Sequence, residues 1–180
     1  MRNFFILLMA IISLNSFSQI SEKKLTGSVI ASNQKHILKI VNFDELQTIL
    51  KKNDNKLYVI NFWATWCKPC VEELPGFMEV NKSYRKNPGF KMILVSLDLA
   101  TEIESGVRPF LLKNNIVTDV YILNDNKRMN EWIPAIDKKW SGAIPATMIY
   151  RNGKKLEFRE NKMQKTELVQ IINKYLKQAI

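Results

Sequence analysis

Residues 43–180 are expected to fold as an α/β three-layer sandwich, a mixed β-sheet with helices on both faces. Three observations predict this. Short apolar runs rich in β-formers alternate with segments of helical periodicity. Two of these runs, Leu57–Trp63 and Lys91–Asp98, are apolar throughout, as strands covered on both faces must be. Near the end, Asn152-Gly153 gives a hairpin signal, and an amphipathic helix follows it.

The elements follow in chain order. Lys24–Ile30 alternates loosely and His36–Ile40 is a short apolar run, so each is a strand candidate. Asn42 is placed to cap a helix over Phe43–Lys52, where Phe43, Leu46, Ile49 and Leu50 recur at helical spacing. Asn53-Asp54-Asn55 ends it. The strand Leu57–Trp63 then leads across Ala64-Thr65-Trp66 into Cys67-Lys68-Pro69-Cys70, which opens a helix to about Lys86. Pro75-Gly76 is expected to kink or break that helix early. After Lys91–Asp98, Glu102–Lys113 reads as a weaker helix marred by Gly106 and Pro109. Val117–Leu123 is a third strand or a short edge strand, and Asp125–Lys138 is helical with Pro134 inside it. Ala146–Tyr150 and Lys155–Phe158 flank the hairpin turn. A last helix from Thr166-Glu167 carries Leu168, Ile171, Ile172, Tyr175 and Leu176 on one face.

The chain has 180 residues, enough for one ordinary domain with a short N-terminal extension. Its apolar content of 46% rules out wholesale disorder. The net charge of +10 would suit an anionic partner, but Lys51-Lys52, Lys138-Lys139 and Lys154-Lys155 are isolated pairs. Such scattering makes a solvated basic surface rather than a nucleic-acid footprint, so no nucleic-acid partner is expected.

The first residues have the order of a secretory signal: Arg2, an apolar run Phe4–Ile12, then small residues at Ser16 and Ser18. Residues 1–18 are read as a signal peptide and 19–42 as an N-terminal extension. The alternative, an uncleaved anchor made of residues 4–12, is short for a bilayer that takes ~20 apolar residues. The mature chain is thus expected in the periplasm or otherwise exported, where disulfides persist.

Only two cysteines are present, and both sit in one Cys-x-x-Cys. A bridge closing so small a ring removes little unfolded-chain entropy, so chemistry explains the pair better than architecture. At a strand–helix junction, Cys67 would face unpaired N–H groups and the positive end of the helix. Both favour the thiolate, the attacking form. Cys67 is therefore expected to be the exposed nucleophile and Cys70, one helical turn on, the resolving thiol. Lys68 adds positive charge, and Pro69 tolerates the first helical turn. A zinc site would need two further donors, and the chain offers only His36 beside weakly placed carboxylates, so no stable metal is expected. No nicotinamide or flavin fingerprint is present either, so no cofactor is expected.

The string Asn61-Phe62-Trp63-Ala64-Thr65-Trp66-Cys67-Lys68-Pro69-Cys70-Val71-Glu72-Glu73-Leu74-Pro75 closely resembles the thioredoxin-like disulfide reductases of the TlpA/ResA type. Gly142-Ala143-Ile144-Pro145-Ala146-Thr147 matches that family's cis-proline signature. The resemblance covers roughly Phe43–Leu176. It implies a thioredoxin-like fold with a strand–helix insertion before the cis-proline, near Val117–Trp140. It also implies that Pro145 packs against the cysteine pair and that the Ile144 backbone binds the partner's chain. Glu73 takes the place of the family's buried acid; the alternative is an ordinary exposed first-turn acid favoured by the helix end. Thioredoxin itself has an aspartate where this chain has Asn61.

Trp66 is expected to cover the disulfide edge and offer an apolar contact to a substrate, with Lys68, Pro69 and Ile144 beside it. Trp63 is read as core, Trp132 and Trp140 as packing residues, with a rim place the alternative for Trp140 because it precedes the Pro145 loop, and His36 as incidental. The expected reaction is dithiol exchange that reduces protein disulfides, with Cys67, Cys70, Glu73 and Pro145 as the working residues. The resemblance implies a membrane thiol protein as donor and apocytochrome c as a typical substrate. The alternatives are a dithiol oxidase of the same fold, a thiol peroxidase, or a metallochaperone that uses the cysteines as ligands.

Overall fold

The computed structural model describes residues 36–177. The leader, the expected strand Lys24–Ile30 and most of the N-terminal extension lie outside the described residues. Among the described residues six strands form one sheet in the order β1-β4-β3-β2-β5-β6. Strands β1 (Leu38–Val41), β4 (Asp119–Leu123), β3 (Phe90–Ser96) and β2 (Leu57–Trp63) run parallel, and β5 (Ala146–Arg151) and β6 (Lys154–Glu160) join antiparallel. The mixed, thioredoxin-like sandwich is the one the sequence predicts.

Strand β2 is central because its residues are buried on both faces. Its even-numbered side chains, Tyr58, Ile60 and Phe62, pack against α1 (Phe43–Leu50) and α4 (Met129–Ile136). Its odd-numbered side chains meet α2 (Lys68–Tyr84), α5 (Lys165–Lys177) and α3 (Arg108–Lys113). Period-two alternation thus assigns each layer its share of the core. Asn42 caps α1 as expected: its side chain accepts from the Glu45 N–H at 2.9 Å, and the Glu45 carboxylate accepts from the Asn42 N–H at 3.0 Å.

Three expectations need correcting. Helix α2 runs unbroken through Pro75-Gly76. Pro75 is exposed, so water can take the carbonyl left without an N–H partner. The Glu102–Lys113 helix is composite: a 3₁₀ turn Ala100–Glu102 and a π turn Ile103–Val107 precede α3. Gly106 falls in the π turn and Pro109 in the first turn of α3, where its missing donor costs little. Strand β4 is not an edge strand, because β1 pairs along its outer side. Trp140 packs as expected rather than reaching the rim: it is buried, 4.9 Å from Phe62 and 5.7 Å from Trp132 between ring centroids. Among the described residues no helix is long and apolar enough to cross a membrane.

Candidate active site

Cys67 is the N-cap of α2, with extended backbone at φ −86° and ψ 97°. Its Sγ accepts from the Cys70 N–H at 3.3 Å, so the sulfur takes the place that a serine or aspartate oxygen holds in an ordinary cap. Cys67 and Cys70 form a disulfide with Sγ–Sγ 2.02 Å and Cα–Cα 5.3 Å. Cys67 keeps 5% exposure and Cys70 none. The expected order holds, but the opening is narrower than a freely exposed thiol would have. Trp63, Leu74, Leu94 and Val107 wall the pair from the interior.

The Ile144–Pro145 peptide bond is cis. It brings the Ile144 carbonyl oxygen 3.6 Å from Cys67 Sγ. In the oxidised pair that sulfur carries no hydrogen, so the approach is a contact; a reduced Cys67 thiol would donate there. The loop is held from behind, where the Trp140 indole N–H donates to the Ala143 carbonyl at 2.8 Å. Glu160 accepts from the Ser141 backbone N–H at 3.0 Å. A cleft of ≈330 Å³ opens beside the disulfide, lined by Pro69, Ile144, Pro145, Glu160 and Lys162 among others. The structure thus brings Cys67, Cys70, Pro69, Ile144 and Pro145 together. Trp66 stands outside the cleft lining, 66% exposed, and Lys68 is exposed on the first turn of α2.

Glu73 lies one turn beyond Cys70 and is buried. Its Oε1 accepts from Asn61 Nδ2 at 2.8 Å, and its Oε2 accepts from the Met163 N–H at 2.8 Å. Both donors are neutral. Burial outweighs these bonds and pushes the carboxyl up to about 7. Glu72 points outward and pairs with Lys162 at 2.6 Å, which holds its carboxyl below the usual range.

Several residues of the site escape a reading of the sequence alone. Asn61 donates to Thr147 Oγ1 at 3.1 Å as well as to Glu73, and its own Oδ1 is buried without a partner. The signal was present: Asn61 is the one amide in an otherwise apolar strand. Asp98 is buried at the end of β3 and accepts from Thr65, just ahead of the cysteines. Met163 contributes only a backbone N–H, which leaves no mark in sequence.

A disulfide-forming pair on the first turn of α2, facing a cis-proline loop in this fold, defines the class: thioredoxin-fold thiol–disulfide oxidoreductases with a Cys-x-x-Cys centre. The chain belongs to the AhpC/TSA family, whose model matches residues 35–159. It is 29% identical over 134 residues to thiol-disulfide oxidoreductase ResA of Bacillus thuringiensis, covering 69% of this chain and 66% of the relative. It is 32% identical over 81 residues to the thioredoxin-like protein YneN of Bacillus subtilis, 45% of each. The chain therefore matches less than two thirds of the length of these curated relatives. Among solved structures, an uncharacterized thioredoxin-like protein from Porphyromonas gingivalis aligns with TM-score 0.54 and 28% identity, covering 71% of this chain and 80% of that one. A thiol:disulfide interchange protein from Chlorobium tepidum shares the fold at TM-score 0.56 and 22% identity, covering 71% and 82%.

Proposed function

We propose that the protein is an exported disulfide reductase, with residues 1–18 as its signal peptide, 19–42 as an extension and 43–180 as the working domain. The reading rests chiefly on a buried acid, Glu73, set one turn beyond the resolving cysteine with no cation bonded to it. In the reduced enzyme, the Cys67 thiolate attacks one sulfur of a substrate disulfide. A Cys67–substrate mixed disulfide forms and the substrate's other sulfur leaves as a thiolate. Cys70 then gives its proton to the Glu73 carboxylate and attacks Cys67 Sγ. The Cys67–Cys70 disulfide forms, the mixed bond breaks, and the substrate departs with two electrons.

The cleft along Pro69, Ile144 and Pro145 suits an extended chain carrying the target sulfur, and Trp66 offers it an exposed apolar face. A disulfide between the haem-binding cysteines of apocytochrome c is a substrate of the required kind, and a membrane thiol protein is the proposed donor that resets the pair. Direction is fixed by potential rather than geometry. The test is the Cys67–Cys70 potential against glutathione, together with insulin reduction by the full chain. A potential well below the glutathione couple with insulin turnover supports the reductase; a value near that of the strong oxidants, ~−120 mV, assigns a dithiol oxidase instead. Metal retention by the reduced protein without insulin turnover would assign a metal carrier. No cluster of His, Cys, Asp and Glu that could hold a metal occurs among the described residues.

A further inference from the structure

Between β2 and α2 the chain turns through Ala64, Thr65 and Trp66, and this turn decides where Cys67 sits. Its own hydrogen bonding is sparse: the Cys67 N–H donates to the Ala64 carbonyl at 3.2 Å. The stronger hold comes from another strand. Asp98, 2% exposed just past β3, accepts from the Thr65 N–H at 3.0 Å and from Thr65 Oγ1 at 2.5 Å. It also accepts from Ser96 Oγ at 2.6 Å, and its own N–H donates back to Ser96 Oγ at 3.0 Å. Beside it, the Leu97 N–H donates to the Trp63 carbonyl at 2.8 Å and ties the strand ends together. A buried carboxyl supplied wholly by hydroxyl and amide donors from one turn and one strand end is an anchor. The dithiol chemistry described above does not use it.

We infer that Asp98 is a positioning residue for Cys67: by anchoring Thr65 it fixes the turn that sets the first cysteine on the N-terminus of α2. The inference deepens the reading of Cys67 as the attacking thiol and rests on it. The physical link is short-ranged. Stabilisation of a thiolate by a helix N-terminus fades within the first turn, and the N–H that serves Cys67 Sγ, at 3.3 Å, depends on where the turn sets that sulfur. A turn released from Asp98 lets the sulfur move off that N–H and lets Trp66 lose its outward setting.

The charged groups around the pair are Lys68 on the same turn, Glu73 on α2, Asp98 beyond β3, and Glu160 and Lys162 in the cleft. A direct charge effect and an anchoring effect of Asp98 therefore have opposite signs. Removing a negative charge favours the thiolate; removing an anchor disfavours it.

The test is the pH midpoint of Cys67 alkylation by iodoacetamide in the fully reduced full chain, with the labelled cysteine identified by mass. Asp98→Ala is expected to raise the midpoint by about one pH unit, which is roughly tenfold less thiolate at lower pH. Thr65→Ala keeps the backbone N–H bond and the carboxyl; it is expected to raise the midpoint by less, and Thr65→Ser to restore it. An unchanged midpoint in folded Thr65→Ala and Asp98→Ala overturns the inference, as does a lowered midpoint in Asp98→Ala. If Asp98→Ala does not fold, the Thr65→Ala and Thr65→Ser pair decides alone. Labelling of Cys70 in place of Cys67 in the unaltered protein overturns the parent reading, and is seen before any variant is compared.

Discussion

Among the described residues three acids are buried, Glu73, Asp98 and Asp119, and the first and last, at different heights of the same sheet, are treated differently. Asp119, at the amino end of β4, pairs with Lys91 Nζ at 2.6 Å, accepts from the Ile37 N–H at 3.0 Å, and has His36 Nδ1 at 4.0 Å. Glu73, near the carboxyl end of β2, accepts only from the neutral donors Asn61 Nδ2 and Met163 N–H. The lysine close by, Lys162, is bonded to Glu72. Asp119 joins β1, β3 and β4 through its charge. Glu73 is left to feel its burial, and its carboxyl rises to about 7. One end of the sheet fixes a charge for architecture, and the other keeps a proton exchangeable beside a thiol pair.

That contrast can be broken most forcefully at the cysteines. Cys67→Ser is expected to bring insulin reduction to background with the fold intact, and Cys70→Ser to accumulate a mixed disulfide on Cys67; mass spectrometry of the trapped species checks both. Next in size is the effect of Glu73 on stability. From an ordinary 4.5 its carboxyl rises to about 7, so between these values the folded chain holds a proton that the unfolded chain has released. Stability therefore falls as pH rises through that window and levels off above it. At roughly 1.4 kcal/mol per pH unit the loss is at most about 3.5 kcal/mol. Glu73→Gln should flatten this decline. It should leave the protein about 1–2 kcal/mol more stable at pH 8, after about 1 kcal/mol is lost for the N–H deprived of its acceptor. Urea unfolding across the pH range reads the difference.

Lys91→Met sharpens the other side of the comparison. It leaves the buried Asp119 carboxylate without its cation and should cost about 1–2 kcal/mol, below the full cost of a broken buried pair because Lys91 is partly solvated. Disulfide exchange per folded molecule should not change. Smallest for stability is Trp66→Ala. Its ring is exposed, so unfolding should shift by less than about 0.5 kcal/mol. The KM for a protein substrate should still rise about fivefold, the loss of one apolar anchor.

Much of the architecture was legible because it rests on local pattern. The Leu57–Trp63 run showed a doubly buried strand, Asn42 stood where a helix cap belongs, and Cys67-Lys68-Pro69-Cys70 had to open a helix. The misreadings came from proline and from long-range packing. Pro75 reads as a break, yet on an exposed helix face its cost is small enough for the rest of the helix to carry. Trp140 reads as packing, with a rim place left open by its closeness to Pro145 in sequence. Tertiary packing uses it as the back wall of the cis-proline loop, through its indole bond to Ala143. In the site, the cysteines and the proline were visible as a motif, and Glu73 as a candidate. Its partners were not, because Asn61 and Met163 meet it across separations of 12 and 90 residues. Asp98 closed an apolar strand in plain view, but only the fold places it against Thr65.

The claim on which the rest depends is that Glu73 serves the second cysteine as its proton acceptor. The direct measurement is the rate at which Cys70 resolves a preformed Cys67 mixed disulfide, followed by stopped flow across pH in the unaltered protein and in Glu73→Gln. The account predicts an inflection near 7 in the unaltered protein. The variant should lose it and be roughly a hundredfold slower above that pH. Equal rates with the same inflection in both proteins would contradict it.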